Sequence, residues 1–367
     1  MTNVLLLGAG TIGRMIAMLL VRSSDYVVRV GDSDVEALRR LQLKLGVETV
    51  LLDASDEEQL KSAMAGTQAV LSALTFSLNP AIAKVALAQG ISYFDLTEDV
   101  ATTAAVRALG ASAKPGQIFM PQCGLAPGFV GIVANHLAQK FDSVDSLLLR
   151  VGALPEFPTN SLKYNLTWST DGLINEYCNP CDIIRESQRQ ESWALEGLEH
   201  LSIDGVEYEA FSTSGGLGTL CETYEGRLRE LNYKTVRYIG HRDRMLFLLD
   251  ELRLRERRPL LKEILENALP RTLQDVVVVF CTATGKRDGQ MVQLWDARKV
   301  YHQTHGDEVW SAIQITTAAA ICAVVDLHFK GSLPNAGFVR QEQVIFEDFL
   351  ANRFGQNYVA SGVKLNE

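Results

Sequence analysis

The chain has 367 residues, 47% of them hydrophobic, enough to bury a large core and to form two domains. Its formal net charge of −9 and isoelectric point near 5.3 exclude the basic patch of a nucleic-acid binder and the polybasic face of a membrane-surface protein. A small-molecule partner is expected.

The opening stretch "VLLLGAGTIGRM" carries an apolar run straight into G-x-G-x-x-G. A strand before and a helix after are the context in which this spacing holds a dinucleotide. Gly8 permits the turn, Gly10 leaves room for the pyrophosphate, and Gly13 lets the helix pack on the sheet. Thr11 and Ile12 complete the turn, and the helix start offers free N–H groups and positive dipole. The next strand ends in "VRVGDSD" and places Asp32 nineteen positions after Gly13, where a carboxylate binds ribose hydroxyls and repels a 2′-phosphate. NAD is therefore expected over NADP, since no arginine follows Asp32 immediately.

Residues 3–122 continue the alternation with six strand candidates, "NVLLL", "YVVRVGD", "ETVLLD", "AVLSAL", "SYFDL" and "IFMPQ", separated by helical periodicity. This is the pattern of an α/β doubly wound parallel sheet of the Rossmann type. Ligands of such sheets bind beyond the carboxyl ends of the strands. Asp53 and Ala54 are thus expected near the adenine, and Ala73, Leu74 and Thr75 near the second ribose and pyrophosphate. "FDLTED" sends Asp95, Thr97 and Glu98 toward the nicotinamide end, with Thr97 or Asp99 as the alternative cap of the next helix.

"QCGLAPGFVG" breaks this rhythm and reads as a hinge, with Gly124 still on the cofactor side. From about residue 142 the strands lengthen and read as antiparallel: "SLLLRVGAL", "LKYNLTWS", "CDIIRESQRQESW", "HLSIDGVEYEAFS", "KTVRYIG" and a long hairpin turning at "KRDG". After Gln303 helical patterning returns. The expected organisation is a Rossmann domain over 1–124, an inserted α+β substrate and dimerisation domain over 125–305, and helices of 306–367 packing back on the first domain. The apolar stretch 309–329 approaches membrane-spanning length, but Gln314, Thr316, Thr317, Asp326 and His328 interrupt it, so a buried helix is expected. Six scattered cysteines and no signal peptide suggest a reducing cytoplasm. The Cys178–Cys181 pair lacks the further ligands of a zinc site, and no metal is expected.

The strand-linked "GAGTIG", the hinge "CGLAPGF", and the stretches "VGALPEFPTNSLKYNLTWSTDGLINEY", "TLCETYEGRL", "KTVRYIGHRDRM" and "GFVRQEQVIFEDFLANRFG" together resemble the saccharopine dehydrogenase family, most closely its lysine ε-dehydrogenase branch. Two departures bear on the branch: saccharopine reductases carry an aspartate where Ala126 stands, and a Ser-Tyr pair where "LTED" stands. The resemblance implies hydride transfer between a C–N carbon of an amino acid and a nicotinamide.

That chemistry needs a proton acceptor, because nitrogen must have its lone pair to form the imine. Glu98 and Asp95 on the sheet edge, and Lys163 and Tyr164 in the second domain, are the candidates, with His241 as a further proton relay equally suited to capping or packing. Arg237 is expected to hold a substrate carboxylate through its planar fork. Tyr164 and Trp168, four apart on the expected strand, offer an apolar wall or core packing, and Glu222 an ammonium partner or a helix-start carboxylate. The leading expectation is oxidation of lysine at its ε-carbon, with a homodimer as the working form. A saccharopine-type C–N oxidation or reductive amination is the alternative within the family, and a non-catalytic NAD-binding regulator the alternative outside it.

Overall fold

A computed structural model describes residues 1–305 and 308–359, which divide into two units, Met1–Ile132 with Gln314–Asn357, and Val133–Ile313 with Tyr358 and Val359. The chain passes from one to the other inside the helix α6 (Phe129–Ala138) and again two residues into the helix Ala312–Phe329.

In the first unit, strands β1 (Thr2–Leu7), β2 (Tyr26–Asp32), β3 (Glu48–Leu51), β4 (Ala69–Ser72), β5 (Ser92–Asp95) and β6 (Ile118–Met120) pair in parallel in the order β6-β5-β4-β1-β2-β3. This is the doubly wound order with its crossing point between β1 and β4. A seventh strand, Gly337–Phe338, adds to β6 from the returning segment; two residues carry no period for sequence reading to detect. The helices α1 (Thr11–Arg22), α2 (Val35–Leu45), α3 (Glu57–Met64), α4 (Asn79–Gln89) and α5 (Val100–Gly110) fill the crossovers. Asp34, Asp56 and Asp99 each cap a helix start by accepting backbone N–H bonds. By contrast, α1 begins at Gly10 with no side-chain cap and no acidic residue in its first turn.

One face of this sheet packs Leu5, Leu7, Val70, Tyr93 and Phe119 into a core with Ile82 of α4, each large aliphatic side chain contributing about 1.5–3 kcal/mol on full burial. The helix Ala312–Phe329 is long and apolar enough to cross a membrane, and most of it is buried within the protein. Its Asp326 is tied by Tyr26, Asn352, Arg353 and Lys330, which satisfies a buried carboxylate with four partners. Of the helices expected over 306–367, the segment after Ala312–Phe329 holds a short 3₁₀ turn, Gln341–Gln343, and a short helix, Phe346–Ala351.

The second unit is built on a sheet of eight strands: β7 (Ser143–Pro155), β8 (Cys181–Arg185), β9 (Gln188–Ser192), β10 (Glu199–Ile203), β11 (Val206–Ser212), β12 (Glu230–Tyr238), β13 (Asp275–Arg287) and β14 (Gln290–Tyr301). The main path runs β10-β11-β12-β7-β13-β14, and the β8–β9 hairpin attaches to β12. The sheet is mixed rather than antiparallel throughout, because β12 runs parallel to β7. "CDIIRESQRQESW" and "HLSIDGVEYEAFS" are each two strands, turning at Glu186–Ser187 and Asp204–Gly205 in left-handed backbone. The "KRDG" hairpin turns at Asp288 (φ 51°) and Gly289 (φ 77°), the twist-matched geometry for a two-residue loop.

"LKYNLTWS" is not a strand. Lys163 takes a positive φ of 52°, the Asn160 side chain bonds the Tyr164 carbonyl at 2.7 Å, and only a single bridge, Leu166 to Arg271, resembles sheet pairing. Tyr164 and Trp168 therefore do not share a strand face, and the former is buried while the latter is partly exposed. Helices α7 (Thr170–Cys178), α9 (His241–Leu246) and α10 (Arg258–Ala268) contribute Tyr177, Met245 and Leu261 to a core with Phe211 of β11, while α8 (Leu220–Tyr224) lies by β8. Cys178 and Cys181 are buried free thiols at the end of α7 and the start of β8.

Candidate active-site residues

In the first unit the three glycines differ in what they require. Gly8 has φ of 107°, and a Cβ there would lie 2.9 Å from the Ala73 carbonyl oxygen. On Gly13 a Cβ would sit 1.9 Å from the Gly8 carbonyl oxygen, so helix and turn can approach only through glycine. Gly10 is different: its backbone is ordinary and nothing lies within 4 Å of an added Cβ. The open space therefore lies at the glycine next to the bare start of α1, whose N–H groups and dipole suit an anion.

Asp32 ends β2 beside this turn and accepts from the Ala9 N–H at 2.6 Å and the Asp34 N–H at 2.8 Å. It thus holds the glycine turn as well as presenting charge next to it. Ala73, Leu74 and Thr75 follow β4, partly to fully exposed, and Ser72 and Asn79 close that loop with a buried 2.7 Å bond. Asp53 is exposed beyond β3, its carboxylate held low by the Ser55 hydroxyl and N–H, with buried Ala54 after it. Gly124 is buried in a tight loop where its N–H meets the Pro127 carbonyl at 3.1 Å. Open glycine, bare helix start and ribose-side carboxylate fit a nicotinamide dinucleotide, with Thr11 and Ile12 as the first helical residues.

At the end of β5, Asp95 is fully buried and accepts from the Tyr93 hydroxyl (2.7 Å), the Thr97 N–H (2.9 Å) and the Gln122 N–H (3.1 Å). Burial pushes its carboxyl up to about 6 against these three stabilising donors. It is a joint between two loops, enclosed by protein, rather than a base open to substrate. Thr97 accepts from the Asp99 N–H, and Asp99 caps α5. Glu98, between them, is partly exposed. Because the folded pKa of Asp95 lies above the ordinary 3.8, its stabilising contribution is full below about 4 and is lost as pH rises through about 6. Relative to Asp95→Asn, the native chain should gain stability as pH falls across that window; thermal melts that differ by a constant amount from pH 4 to 7.5 would contradict this.

In the second unit, Arg237 on β12 is only 2% exposed. Its Nε donates to the Tyr177 hydroxyl at 2.9 Å, its Nη1 to the Val236 carbonyl at 2.9 Å, and its guanidinium lies 4.9 Å over the Tyr164 ring. His241 Nδ1 is 2.9 Å from the Leu162 carbonyl, which can only accept, so the proton sits on Nδ1. The Tyr177 hydroxyl therefore donates to the His241 Nε2 lone pair at 3.0 Å. Burial, then the Arg237 charge, hold this imidazole neutral with its pKa down to about 3. His241 does not titrate near neutral pH, contrary to its expected relay role; it fixes Tyr177, which fixes Arg237.

Residues that sequence reading missed complete the arrangement. Tyr177 is the centre of the chain just described, and Glu176 beside it is buried and exerts its charge on Arg237, Tyr164 and Tyr233. Glu209, paired across from Arg237, accepts from the Gly240 and Arg242 N–H groups and so seats α9 with its His241. No local pattern marks these, because the partners are 60 and 64 residues apart. Lys163 donates to the Ile239 carbonyl at 3.2 Å near the surface. Glu222 is exposed in the first turn of α8, near Arg189 of the hairpin, and is not brought to the Arg237 cluster.

Comparison with known proteins divides the chain by sequence, the second match running on through the segment 314–356 that belongs to the first unit. Residues 4–120 match the model of the saccharopine dehydrogenase NADP binding domain, and residues 124–356 that of the saccharopine dehydrogenase C-terminal domain. Saccharopine dehydrogenase [NADP(+), L-glutamate-forming] of Saccharomyces cerevisiae is 26% identical over 179 residues, 47% of this chain and 40% of the relative. Mitochondrial alpha-aminoadipic semialdehyde synthase of Bos taurus is 26% identical over 186 residues, 48% of this chain and 20% of the relative. The chain thus aligns with less than half the length of these relatives. The fold is shared with apo saccharopine dehydrogenase (L-Glu forming) from Saccharomyces cerevisiae at a TM-score of 0.78 and 16% identity, covering 95% of this chain and 96% of that one. With the two domain models accounting in succession for the glycine turn and for the sheet that carries Arg237, the chain belongs to the saccharopine dehydrogenase family.

Proposed function

We propose that this protein is a cytoplasmic, homodimeric oxidoreductase that acts on a C–N bond of an amino acid, oxidising L-lysine at its ε-carbon with NAD. The observation that carries the amino-acid reading is Arg237: a guanidinium buried to 2% exposure, two of whose N–H groups are engaged by Tyr177 and Val236 while the others remain for a carboxylate. Ala126, standing where saccharopine reductases carry an aspartate, and "LTED" in place of their Ser-Tyr pair favour lysine over saccharopine. The assay is reduced-cofactor formation by the full chain with lysine and with saccharopine, each with NAD and with NADP. Turnover of saccharopine alone moves the assignment to the runner-up, and cofactor binding without turnover of any amine moves it to a non-catalytic regulator.

The matched domain model names NADP, whereas Asp32 favours NAD. A carboxylate held in place by two loop N–H groups accepts from ribose hydroxyls and repels a 2′-phosphate. Asp32→Ala should therefore raise the KM for NAD about 10- to 100-fold and that for NADP much less. An unchanged NAD/NADP ratio would remove Asp32 from the selection.

A bound nicotinamide supplies the hydride acceptor; the chain must hold the amine and take its proton. Asp95 is enclosed, the His241 lone pair is taken by Tyr177, and Lys163 donates to a carbonyl. Glu98, partly exposed beyond β5, is the remaining candidate for the acceptor. Glu98→Gln should lower kcat at neutral pH at least about 100-fold with little change in KM, and a kcat within threefold of native would require another base.

A further inference from the structure

The Asn160–Ser169 segment is irregular yet locally determined. Asn160 Nδ2 bonds the Tyr164 carbonyl and the Asn165 side chain, and the Leu166 N–H bonds the Pro270 carbonyl at 3.0 Å. This backbone turns Tyr164 and Thr167 inward until they are 1% and 8% exposed. Their hydroxyls are buried, and among the described residues neither has a partner in good hydrogen-bond geometry. Elsewhere the protein pairs its buried hydroxyls: Tyr26 with Asp326, Tyr93 with Asp95, Tyr177 with His241, Thr213 with Thr235. Orphaned buried hydroxyls are rare in native proteins, since each loses its water without replacement.

The two orphans lie where a donor surplus is already present. The Tyr164 ring packs 4.9 Å from the Arg237 guanidinium and edge-on to His241 at 5.5 Å. The side chains of Thr167 and Trp168 approach the Tyr164 hydroxyl as hydrogen-bond donors to its ionised form, without the alignment of a hydrogen bond to the neutral hydroxyl. Arg237 keeps donors beyond those used by Tyr177 and Val236. Two hydroxyl donors and a cation with unused N–H groups are complementary to a group that only accepts and is negative.

We propose that the Tyr164 and Thr167 hydroxyls join Arg237 in binding the substrate's α-carboxylate, and so determine specificity for amino acids over simple amines. This rests on the amino-acid reading of the site and assigns it two further residues. Neither hydroxyl takes part in proton or hydride transfer. Their removal therefore acts on binding, and because neither makes a well-aligned hydrogen bond in the free protein it costs the fold little.

The test uses the full chain and the variants Tyr164→Phe and Thr167→Val, which keep ring and volume. Calorimetric titration with L-lysine, saccharopine and 1,5-diaminopentane, thermal melting, and steady-state kinetics are compared. Each variant should bind the amino acids about tenfold or more weakly, leave diamine binding unchanged, keep kcat within about threefold, and melt no lower than the native chain. Unchanged amino-acid affinity in both variants overturns the inference and makes a buried water the occupant. A melting point lowered by several degrees in both overturns it too, by showing that the hydroxyls have partners in the free protein. Turnover of lysine with unaltered KM in both variants leaves the functional reading standing without this inference; carboxylate-dependent binding lost in both, without turnover of any amine, leaves the inference standing without that reading.

Discussion

Gly10→Ala should leave the fold nearly intact and weaken nicotinamide cofactor binding about 10- to 100-fold, whereas Gly13→Ala should destabilise the first unit and lose the cofactor as a consequence. The contrast follows from what each position faces. A methyl on Gly10 meets nothing within 4 Å, and φ of −73° is open to alanine, so the cost to folding is that of a poorer helix cap, about 1 kcal/mol or less. The same methyl fills the space through which a pyrophosphate reaches the backbone at the bare start of α1. On Gly13 the methyl would stand 1.9 Å from the Gly8 carbonyl oxygen, and the turn must shift. Displacing a turn held by the Ala9–Asp32 and Gly8–Gly31 bonds costs about 2–4 kcal/mol. Melting temperature and equilibrium binding of NAD to both variants separate the effects. If Gly10→Ala binds NAD as the native chain does, the glycines serve only the strand-to-helix turn.

The glycine turn was legible because each of its demands falls on a residue type at a fixed offset: a left-handed turn, an open approach and a close helix contact. The parallel order of β1 to β6 followed from alternation of short apolar runs with helical periods, which leaves few topologies. What escaped reading lacked such local constraint. Alternating residues in β12 report a half-buried strand but not its direction, so its parallel pairing with β7 was not visible. "LKYNLTWS" alternates like a strand, yet the Asn160 side chain captures the backbone of Tyr164 and competes with sheet pairing.

The same reasoning explains the uneven reading of the second unit's site. Arg237 stood out through its motif, but its chemistry depends on Tyr177 and His241, brought from distant segments. Whether a histidine titrates near neutral pH depends on burial and on what occupies its nitrogens, and neither is written in "GHRDR". The sequence offers Tyr164 as an apolar wall or as core packing; its ring lies against Arg237, and its hydroxyl has no well-aligned partner among the described residues.

Replacing Arg237 should produce the largest loss of substrate affinity of any single change in the second unit, and the choice of replacement decides what the loss means. Arg237→Ala removes a buried cation and takes its donors from the Tyr177 hydroxyl oxygen and the Val236 carbonyl. It also opens a cavity beneath Tyr164, so a stability cost of about 2–4 kcal/mol accompanies any effect on binding. A raised KM in that variant alone is ambiguous. Arg237→Lys keeps the charge but loses the planar fork, and one ammonium cannot serve Tyr177, Val236 and a carboxylate with the same geometry. Arg237→Lys should therefore melt closer to the native chain yet raise the amino-acid KM at least about tenfold, with Arg237→Ala raising it about 100-fold or more. NAD affinity should stay within about twofold in both, because the glycine turn and Asp32 belong to the other unit. A folded Arg237→Lys protein with native KM would make Arg237 a structural cation of the β12 face, and the carboxylate would have to be held elsewhere.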